Sequence, residues 1–252
     1  DQRATVMAVD GAMHDWVGKK LGVPVWRMLG LNRNDAPTTS FTIGIDDLET
    51  VARKLDEAAE YPTLEIKLGG DRDREILRTV RDHAGDKPLY VDANAAWSAD
   101  QAMGHLEMLA QFGVVMVEQP LRPDDLDGLA KLTAARILPI VADESCVRPA
   151  DVPKLAGCVD GVNIKLSKCG GISQALKMIH TARALGLGVM LGCMVESSVG
   201  IAGAAQLAPL ADWVDLDGHL LLRDDPFEGI GGREGRLALS DLPGLGVVPR
   251  RG

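Results

Sequence analysis

Short apolar segments alternate along the chain with longer segments in which apolar residues recur at helical spacing. Eight of the apolar segments have the length of β-strands, and they occupy residues 40–45, 63–68, 89–94, 114–120, 139–145, 161–167, 188–194 and 213–218. The helical spacing is clearest in residues 47–59, 72–83, 99–111, 125–134 and 173–185. Strands that alternate with crossover helices form parallel sheets, so the pattern predicts an α/β protein with a TIM-like barrel of the parallel (β/α)8 type.

The alternative to a barrel is a doubly wound open sheet. Such a sheet usually carries a glycine-rich phosphate-binding turn after its first strand, and Ile-Gly-Ile-Asp-Asp at residues 43–47 is not such a turn. The barrel is therefore favoured. We predict a helical segment over residues 1–35, a barrel over residues 36–219, and a tail over residues 220–252 that packs back on the barrel.

Side chains of a strand alternate between its two faces, and in these strands one face is apolar while the other is polar. In the third strand, Val91 lies on the apolar face and Asp92 on the polar face. Near the carboxyl ends of six strands the polar face carries an ionisable residue, and these residues are Lys67, Asp92, Glu118, Asp143, Lys165 and Asp217. Charge inside a packed barrel is costly unless it is paired or ligates a metal. Because barrel active sites lie at the carboxyl ends of the strands, the pattern predicts an active site there.

Three carboxylates of this set come from consecutive strands, and they are Asp92, Glu118 and Asp143. Three hard oxygen ligands with room for water and substrate oxygens suit Mg²⁺, with Mn²⁺ as a substitute. Zinc is disfavoured because no histidine or cysteine belongs to the set. Asn94 and Glu144 follow two of these residues closely, and we expect them to orient the metal ligands.

Lys67 and Lys165 flank the carboxylates from strands that stand across the barrel from each other. A lysine beside a divalent cation in a partly dry pocket has a lowered pKa, as a general base needs near neutral pH. The metal would hold a substrate carboxylate and stabilise the enediolate that forms when the α-proton leaves. One lysine would remove this proton and the other would return it from the opposite face, which inverts the α-carbon. The alternative is that the lysines only neutralise the carboxylates, and Lys168 is interpreted as peripheral.

Composition and charge narrow the class of protein. The 252 residues are 46% hydrophobic, as in a globular protein with a large core, and the net charge is −9. This charge argues against a nucleic-acid partner, because phosphate binding needs clustered Lys and Arg. The sequence lacks an apolar run of roughly 20 residues and a signal-peptide pattern, so we expect a cytoplasmic protein without a membrane partner. The four cysteines show no paired spacing and are expected to be free thiols.

Five motifs, in this order and at this spacing, resemble the enolase superfamily and specifically its muconate-lactonizing subgroup. They are Leu-Glu-Ile-Lys at 64–67, Val-Asp-Ala-Asn at 91–94, Val-Glu-Gln-Pro at 117–120, Ala-Asp-Glu-Ser at 142–145 and Asn-Ile-Lys-Leu-Ser-Lys-Cys-Gly-Gly at 163–171. The resemblance covers nearly the whole chain and implies the (β/α)7β form of the TIM-like barrel. It implies a Mg²⁺-dependent enzyme in which a lysine removes a proton next to a carboxylate.

The end of the barrel resembles the dipeptide epimerases of that subgroup, of the L-Ala-D/L-Glu epimerase type. The resemblance rests on Cys-Met-Val-Glu-Ser at 193–197 and Asp-Leu-Asp-Gly-His at 215–219. It implies an isomerase that epimerises the C-terminal residue of a dipeptide, commonly as a homo-oligomer. Asp215 and Asp217 would bind the free ammonium group of the dipeptide, and Met194 would also contact the dipeptide. The alternative for the two aspartates is a structural role, such as pairing with an arginine.

Two features depart from the family pattern. The family commonly has Lys-x-Lys in the second strand, whereas the first position here is Glu65. Its carboxylate would raise the pKa of Lys67, and Glu65 is a candidate contact for a cationic side chain of the substrate. The family also has an N-terminal α+β capping domain, and residues 8–31 resemble only its junction with the barrel. The chain is therefore expected to lack most of this cap.

Related activities of the subgroup are alternatives, namely N-acylamino-acid racemase, o-succinylbenzoate synthase and muconate cycloisomerase. Their substrates carry no free ammonium group for Asp215 and Asp217, which favours the dipeptide epimerase. A non-catalytic metal-binding or ligand-binding barrel is an alternative of another class, supported by Glu65 and the expected lack of the cap. Mg²⁺ binding without exchange of an α-proton would distinguish this case.

Overall fold

The computed structural model describes residues 2–230 and 234–250. Eight parallel strands form one sheet whose spatial order follows the chain order. They are Phe41–Ile43 (β1), Leu64–Lys67 (β2), Leu89–Asp92 (β3), Val114–Glu118 (β4), Ile140–Ala142 (β5), Gly161–Lys165 (β6), Gly188–Gly192 (β7) and Trp213–Val214 (β8). Each strand lies inside its predicted segment, and the TIM-like barrel is confirmed.

Helices connect most of the consecutive strands. The α-helices are Arg3–Leu21 (α1), Val25–Met28 (α2), Leu48–Glu57 (α3), Asp73–Ala84 (α4), Ala99–Gln111 (α5), Leu126–Ala135 (α6), Leu166–Cys169 (α7), Ile172–Ala184 (α8) and Ser198–Ala205 (α9). The connection from β5 to β6 instead contains a 3₁₀ turn, Val152–Leu155. Across residues 2–230 and 234–250, no helix has both the length and the apolar character needed to cross a membrane.

Side-chain caps define where two of the crossover helices begin. The Asp47 carboxylate accepts a hydrogen bond of 2.9 Å from the Thr50 amide at the start of α3. Ser98 and Gln101 form a reciprocal capping box at the start of α5. Both caps pair amide groups that the first turn of a helix leaves without partners. The local sequence therefore sets where these crossovers leave the barrel.

The barrel closes where the segment around β1 meets β8. The Ser40 amide donates a hydrogen bond of 3.0 Å to the Val214 carbonyl. The Leu216 amide donates a hydrogen bond of 2.7 Å to the Thr39 hydroxyl. Hydroxyl side chains therefore join backbone groups in holding this seam together.

Separate apolar clusters occupy the two sides of the sheet. The inner cluster fills the barrel and consists of Tyr90, Met116, Val141 and Met190, with Trp213 packed against them. The outer cluster lies under the helices and includes Leu64 and Ile66. Asp92 lies two residues beyond Tyr90 on β3, so it shares the inward row of that strand. The prediction that the polar faces point into the barrel is thus confirmed.

The tail contacts the first helix and the turn that follows it. The Val25 amide donates to the Gly244 carbonyl at 2.9 Å, and the Leu245 amide donates to Asp15 Oδ1 at 2.9 Å. Gly244 has φ of +75°, and a Cβ there would collide with Asp15, so the close approach requires glycine. The tail also contains a two-stranded antiparallel pair, Phe227–Glu228 (β9) with Val248–Pro249 (β10).

Candidate active site

Lys67 ends β2 and is held by two carboxylates. Its Nζ lies 2.6 Å from Asp92 Oδ2 and 2.9 Å from Glu65 Oε2. Burial lowers the pKa of Lys67, but the attraction of Glu65 and Asp92 outweighs it, and the pKa is raised above the ordinary lysine value. The predicted upward effect of Glu65 is therefore confirmed. The lowered pKa predicted for the lysine bases depends on a cation at the same carboxylates and stays a prediction.

Lys165 ends β6 and faces a second pair of carboxylates. Its Nζ lies 2.9 Å from Asp143 Oδ2 and 3.6 Å from Glu118 Oε1. Burial lowers the pKa of Lys165, but Glu118 and Asp143 outweigh this effect and raise it well above the ordinary value. Neighbouring Asn163 donates a hydrogen bond of 2.8 Å to Glu118 Oε1. Lys165 and Asn163 thus hold the same carboxylate from one strand face.

The predicted metal ligands lie on or just beyond neighbouring strands and are buried. Asp92 and Glu118 are paired in register at the ends of β3 and β4, and Asp143 follows β5. Single oxygens of Glu65, Asp92 and Glu118 lie within 4.8 Å of one another. The sequence analysis placed Glu65 among the substrate contacts. The structure instead brings it into the carboxylate cluster.

The donor set fits a hard divalent cation. Glu118 Oε2 is buried and has no hydrogen-bond partner among the described residues. Burial raises the pKa of Glu118 well above its ordinary value, and repulsion from Asp92 raises it further. A buried carboxylate oxygen without a donor is costly unless a cation or proton compensates it. Carboxylate oxygens in this arrangement suit Mg²⁺ or Mn²⁺.

Lys168 occupies the site, and its interpretation as peripheral was wrong. Its Nζ lies 2.7 Å from both carboxylate oxygens of Asp143. The error came from extending the alternation of β6 beyond Lys165, whereas α7 begins at Leu166. Three residues of helix return a side chain to the same side as the starting residue, so Lys168 faces the carboxylate that Lys165 contacts.

Asn94 and Glu144 lie beside the carboxylates that they were expected to orient. The Asn94 amide and side chain donate to the two oxygens of Asp92 at 2.8 and 2.9 Å. Asn94 Nδ2 also lies 3.4 Å from Glu144 Oε1. Asn94 has φ of +42°, a left-handed conformation that asparagine adopts more readily than most residues. This turn directs both of its donors at Asp92.

Asp215 and Asp217 follow β8 and are almost fully buried. Burial raises the pKa of Asp215 to about 7, and repulsion from Asp217 contributes to the shift. Ser40 Oγ donates to Asp215 Oδ1 at 2.7 Å, and the Thr42 amide donates to Asp217 Oδ2 at 2.7 Å. Both of these donors are neutral. The pairing with an arginine that was the structural alternative for the two aspartates is not among these contacts. Two buried carboxylates with neutral donors suit a cationic ligand group.

Met194 lies near the acidic pair in the loop after β7. Half of its surface is exposed, and its carbonyl oxygen lies against Gly218, where a Cβ would collide with it. Gly218 follows Asp217 directly in the sequence. The loop after β7 and the segment after β8 therefore meet at the barrel mouth with Met194 at their junction.

Sequence reasoning missed two residues that support the site, Asn163 and Gln119. Asn163 shares the inward row of Lys165, so strand alternation alone identifies it. Gln119 is buried, and its Oε1 accepts hydrogen bonds from the Asp143 amide at 2.9 Å and the Ser145 amide at 3.1 Å. No local pattern signals this contact, because it joins the ends of β4 and β5.

Comparison with known proteins shows the family of the chain. The profile of the enolase C-terminal domain-like family matches residues 47–252. The chain is 45% identical to the L-Ala-D/L-Glu epimerase of Bacteroides thetaiotaomicron, over 97% of this chain and 64% of that relative. It is 44% identical to the L-Ala-D/L-amino acid epimerase of a Maribacter species, over 96% of this chain and 72% of that relative.

A solved structure is also similar over nearly the whole chain. The dipeptide epimerase from Methylococcus capsulatus, complexed with Mg and the dipeptide L-Arg-D-Lys, has a TM-score of 0.91 and 36% identity. The similarity covers 98% of this chain and 73% of that one. The chain thus spans 64% of the length of the Bacteroides relative and somewhat more of the others. On the profile match and these identities, the chain belongs to the enolase C-terminal domain-like family.

Proposed function

We propose that this barrel is the catalytic part of a Mg²⁺-dependent dipeptide epimerase, an isomerase. The observation that carries the proposal is the placement of Lys67 and Lys165 on β2 and β6, on either side of a buried carboxylate cluster. A lysine on each side of the cluster suits removal of a proton from one face of a carbon and its return to the other.

Asp92, Glu118 and Asp143 would hold the cation in this proposal. When bound, Mg²⁺ supplies positive charge that stabilises negative charge on the carboxylate of the substrate as the α-proton leaves. Asn94 would keep both oxygens of Asp92 oriented through its two hydrogen bonds. Glu144 would assist Asn94 through its contact with the side-chain amide.

The two lysines would exchange protons with the α-carbon of the C-terminal residue of the dipeptide. In one direction Lys67 accepts the α-proton on its neutral Nζ, and Lys165 donates a proton from its ammonium form to the opposite face. The reverse direction exchanges their roles, so the enzyme interconverts the L,L and L,D forms. Asp92 and Glu118 raise the pKa of both lysines and would also hold the cation, so cation binding would favour the neutral lysine.

Asp215 and Asp217 would bind the free ammonium group of the dipeptide, and Met194 would line the substrate-binding mouth. Glu65 would contact a cationic side chain of the substrate. Support for a cationic substrate comes from the Methylococcus capsulatus enzyme, which is complexed with L-Arg-D-Lys. N-acylamino-acid racemase and the other activities of the subgroup use substrates without an ammonium group, so they would leave the acidic pair without a ligand.

The proposal also covers the segments of the chain, its location in the cell and its partners. We propose a junction segment at residues 1–35, a catalytic barrel at residues 36–219 and a tail at residues 220–252, part of which lies outside the described residues. We further propose a cytoplasmic homo-oligomer without a nucleic-acid partner. The net charge of −9 supports the last point.

The test is α-proton exchange in D₂O with Mg²⁺, followed by NMR over a panel of L,L-dipeptides that includes Arg and Lys side chains. We expect loss of the α-proton signal of the second residue and appearance of the L,D diastereomer. N-acetylated forms of the same dipeptides should react far more slowly, because they lack the ammonium group. Lys165→Ala should abolish epimerisation, whereas Lys154→Ala, in an exposed pair with Asp151, should not change it.

Two results would contradict the proposal. Exchange of N-acetylated substrates at the same rate would favour an N-acylamino-acid racemase. Mg²⁺ binding without exchange of any substrate would favour the non-catalytic metal-binding barrel. Calorimetric titration with Mg²⁺ separates this second outcome from a simple failure to bind the cation.

A further inference from the structure

Thr42, in the middle of β1, contacts three buried carboxylates. Its hydroxyl lies 2.9 Å from Glu65 Oε2 and 3.5 Å from Asp215 Oδ1. Its amide donates a hydrogen bond of 2.7 Å to Asp217 Oδ2. Glu65, Asp215 and Asp217 are 1%, 5% and 2% exposed. One residue therefore joins the carboxylate beside Lys67 to the acidic pair after β8.

Barrel closure makes this contact. Thr42 is paired in register with Glu65 of β2, its neighbour on one side. On its other side β1 meets β8, where Ser40 donates to Asp215. Ser40 and Thr42 are two residues apart, so their hydroxyls share one strand face. A strand with hydroxyls on this face thus supplies donors to carboxylates on both of its neighbours.

The hydroxyl can donate its single proton to one oxygen at a time. The distances favour Glu65, because 2.9 Å is a good hydrogen bond and 3.5 Å is a weak one. Glu65 Oε2 also accepts from Lys67 Nζ at 2.9 Å. The β-branched side chain of Thr42 restricts its χ1 rotation, which keeps the hydroxyl directed at that oxygen. Glu65 Oε2 therefore accepts hydrogen bonds from both the Thr42 hydroxyl and the Lys67 ammonium group.

We propose that Thr42 is a positioning residue that sets Lys67 through Glu65 and ties its location to the Asp215 and Asp217 pair, an inference that rests on the proposed function. The amide of Thr42 anchors Asp217, which would bind the substrate ammonium. The hydroxyl anchors Glu65, which holds the ammonium group of Lys67. The distance from the substrate's anchoring point to one of the two lysines is thus set through a single residue of β1.

Two substitutions separate the hydroxyl from the rest of the side chain. Thr42→Val removes the hydroxyl and keeps the shape and the amide, whereas Thr42→Ser keeps the hydroxyl. Thr133→Val is the matched control, because Thr133 on α6 is part-buried and donates to the Cys158 carbonyl at 2.9 Å. The rate of α-proton exchange in D₂O is measured for each protein, starting separately from the L,L and the L,D epimer.

Each lysine removes the proton from only one epimer, so the two starting materials report on the two lysines separately. In Thr42→Val we expect exchange from the epimer whose α-proton faces Lys67 to fall roughly tenfold or more relative to the other epimer. Thr42→Ser should restore the ratio of the two rates, and Thr133→Val should leave it unchanged. A general loss of folding would lower both rates together and would not change their ratio.

An unchanged ratio in Thr42→Val, or a changed ratio that serine does not restore, would overturn the inference while the proposed function stands. If the unsubstituted chain exchanges no substrate proton, the proposed function fails, and a crystal structure of Thr42→Val decides the inference by itself. Displacement of Lys67 Nζ from its 2.9 Å contact with Glu65 would support the positioning role. Retention of that contact would overturn it.

Discussion

Lys168 Nζ lies 2.7 Å from both carboxylate oxygens of Asp143, so this aspartate is shared between two lysines. Burial raises the pKa of Asp143, but Lys165 and Lys168 outweigh this effect and lower it. The carboxylate is therefore kept charged inside the barrel, in the form that a metal ligand requires.

Replacement of Lys168 tests this pairing. Lys168→Met should lower the free energy of unfolding by about 1–3 kcal/mol, because a buried carboxylate loses a donor while Lys165 remains as its partner. Lys154→Met removes a lysine from an exposed pair with Asp151 and should change stability by about 1 kcal/mol or less. Urea denaturation measures both values, and equal effects of the two substitutions would contradict the buried pairing.

Gly192 lies opposite Lys165 in the register of β6 and β7. A Cβ at Gly192 would lie 2.6 Å from the Asn163 amide atoms and 2.9 Å from Lys165 Cε. Gly192→Ala should therefore displace Asn163 and Lys165 from Glu118 and lower the rate of the proposed epimerisation by roughly tenfold or more.

Gly104, on α5, is the matched control, because a Cβ there has no neighbour within 4 Å among the described residues. Gly104→Ala should leave the rate unchanged and raise stability by about 0.5–1 kcal/mol, since alanine favours a helix. Steady-state kinetics and urea denaturation of both variants provide the comparison. Normal kinetics in Gly192→Ala would show that the site tolerates the methyl group.

Glu118 should link stability to Mg²⁺. Its Oε2 is buried without a partner among the described residues, so a bound cation should raise the melting temperature, by roughly 5–10 °C when it is in large excess over its dissociation constant. Glu118→Gln should be more stable without Mg²⁺ and should lose most of this increase. Glu107→Gln, on the exposed face of α5, should keep it. A full Mg²⁺-dependent increase in Glu118→Gln, measured by calorimetry, would exclude Glu118 as a ligand.

Asp215 should make stability depend on pH. Its pKa is raised to about 7, mainly by burial, so the folded protein holds a proton that the unfolded chain releases near pH 4. The folded state therefore loses stability as pH rises from about 4 to about 7. Asp215→Asn should remove this loss and be more stable than the unsubstituted protein at pH 7.5, by a few kcal/mol at most.

The same difference should shrink towards zero near pH 4, where Asp215 is protonated in the folded protein. Asp241→Asn is the control, because Asp241 is exposed and paired with Arg27 and Arg33. It should give no comparable gain at pH 7.5. Urea denaturation at both pH values decides the point, and a difference that is constant with pH would contradict the raised pKa.

The sequence by itself determined the barrel and the inward row of charges. Helix caps such as Ser98 and Gln101 are local, and strand alternation assigns Asp92 and Lys165 to the inward faces without knowledge of the rest of the fold. The recurrence of charge at the strand ends then placed these residues at one end of the barrel. Helix caps and strand alternation depend only on residues that are close in the sequence, so the sequence alone predicts them.

Only the tertiary structure decided which groups touch. Thr42 and Asp217 are 175 residues apart and meet because β1 closes the barrel against β8, a contact that no local pattern encodes. Lys168 reaches Asp143 because the strand turns into a helix directly after Lys165, and a shift of one residue in that boundary would direct it elsewhere. Alternation is a property of the chain, whereas closure and element boundaries depend on the packing of the whole barrel.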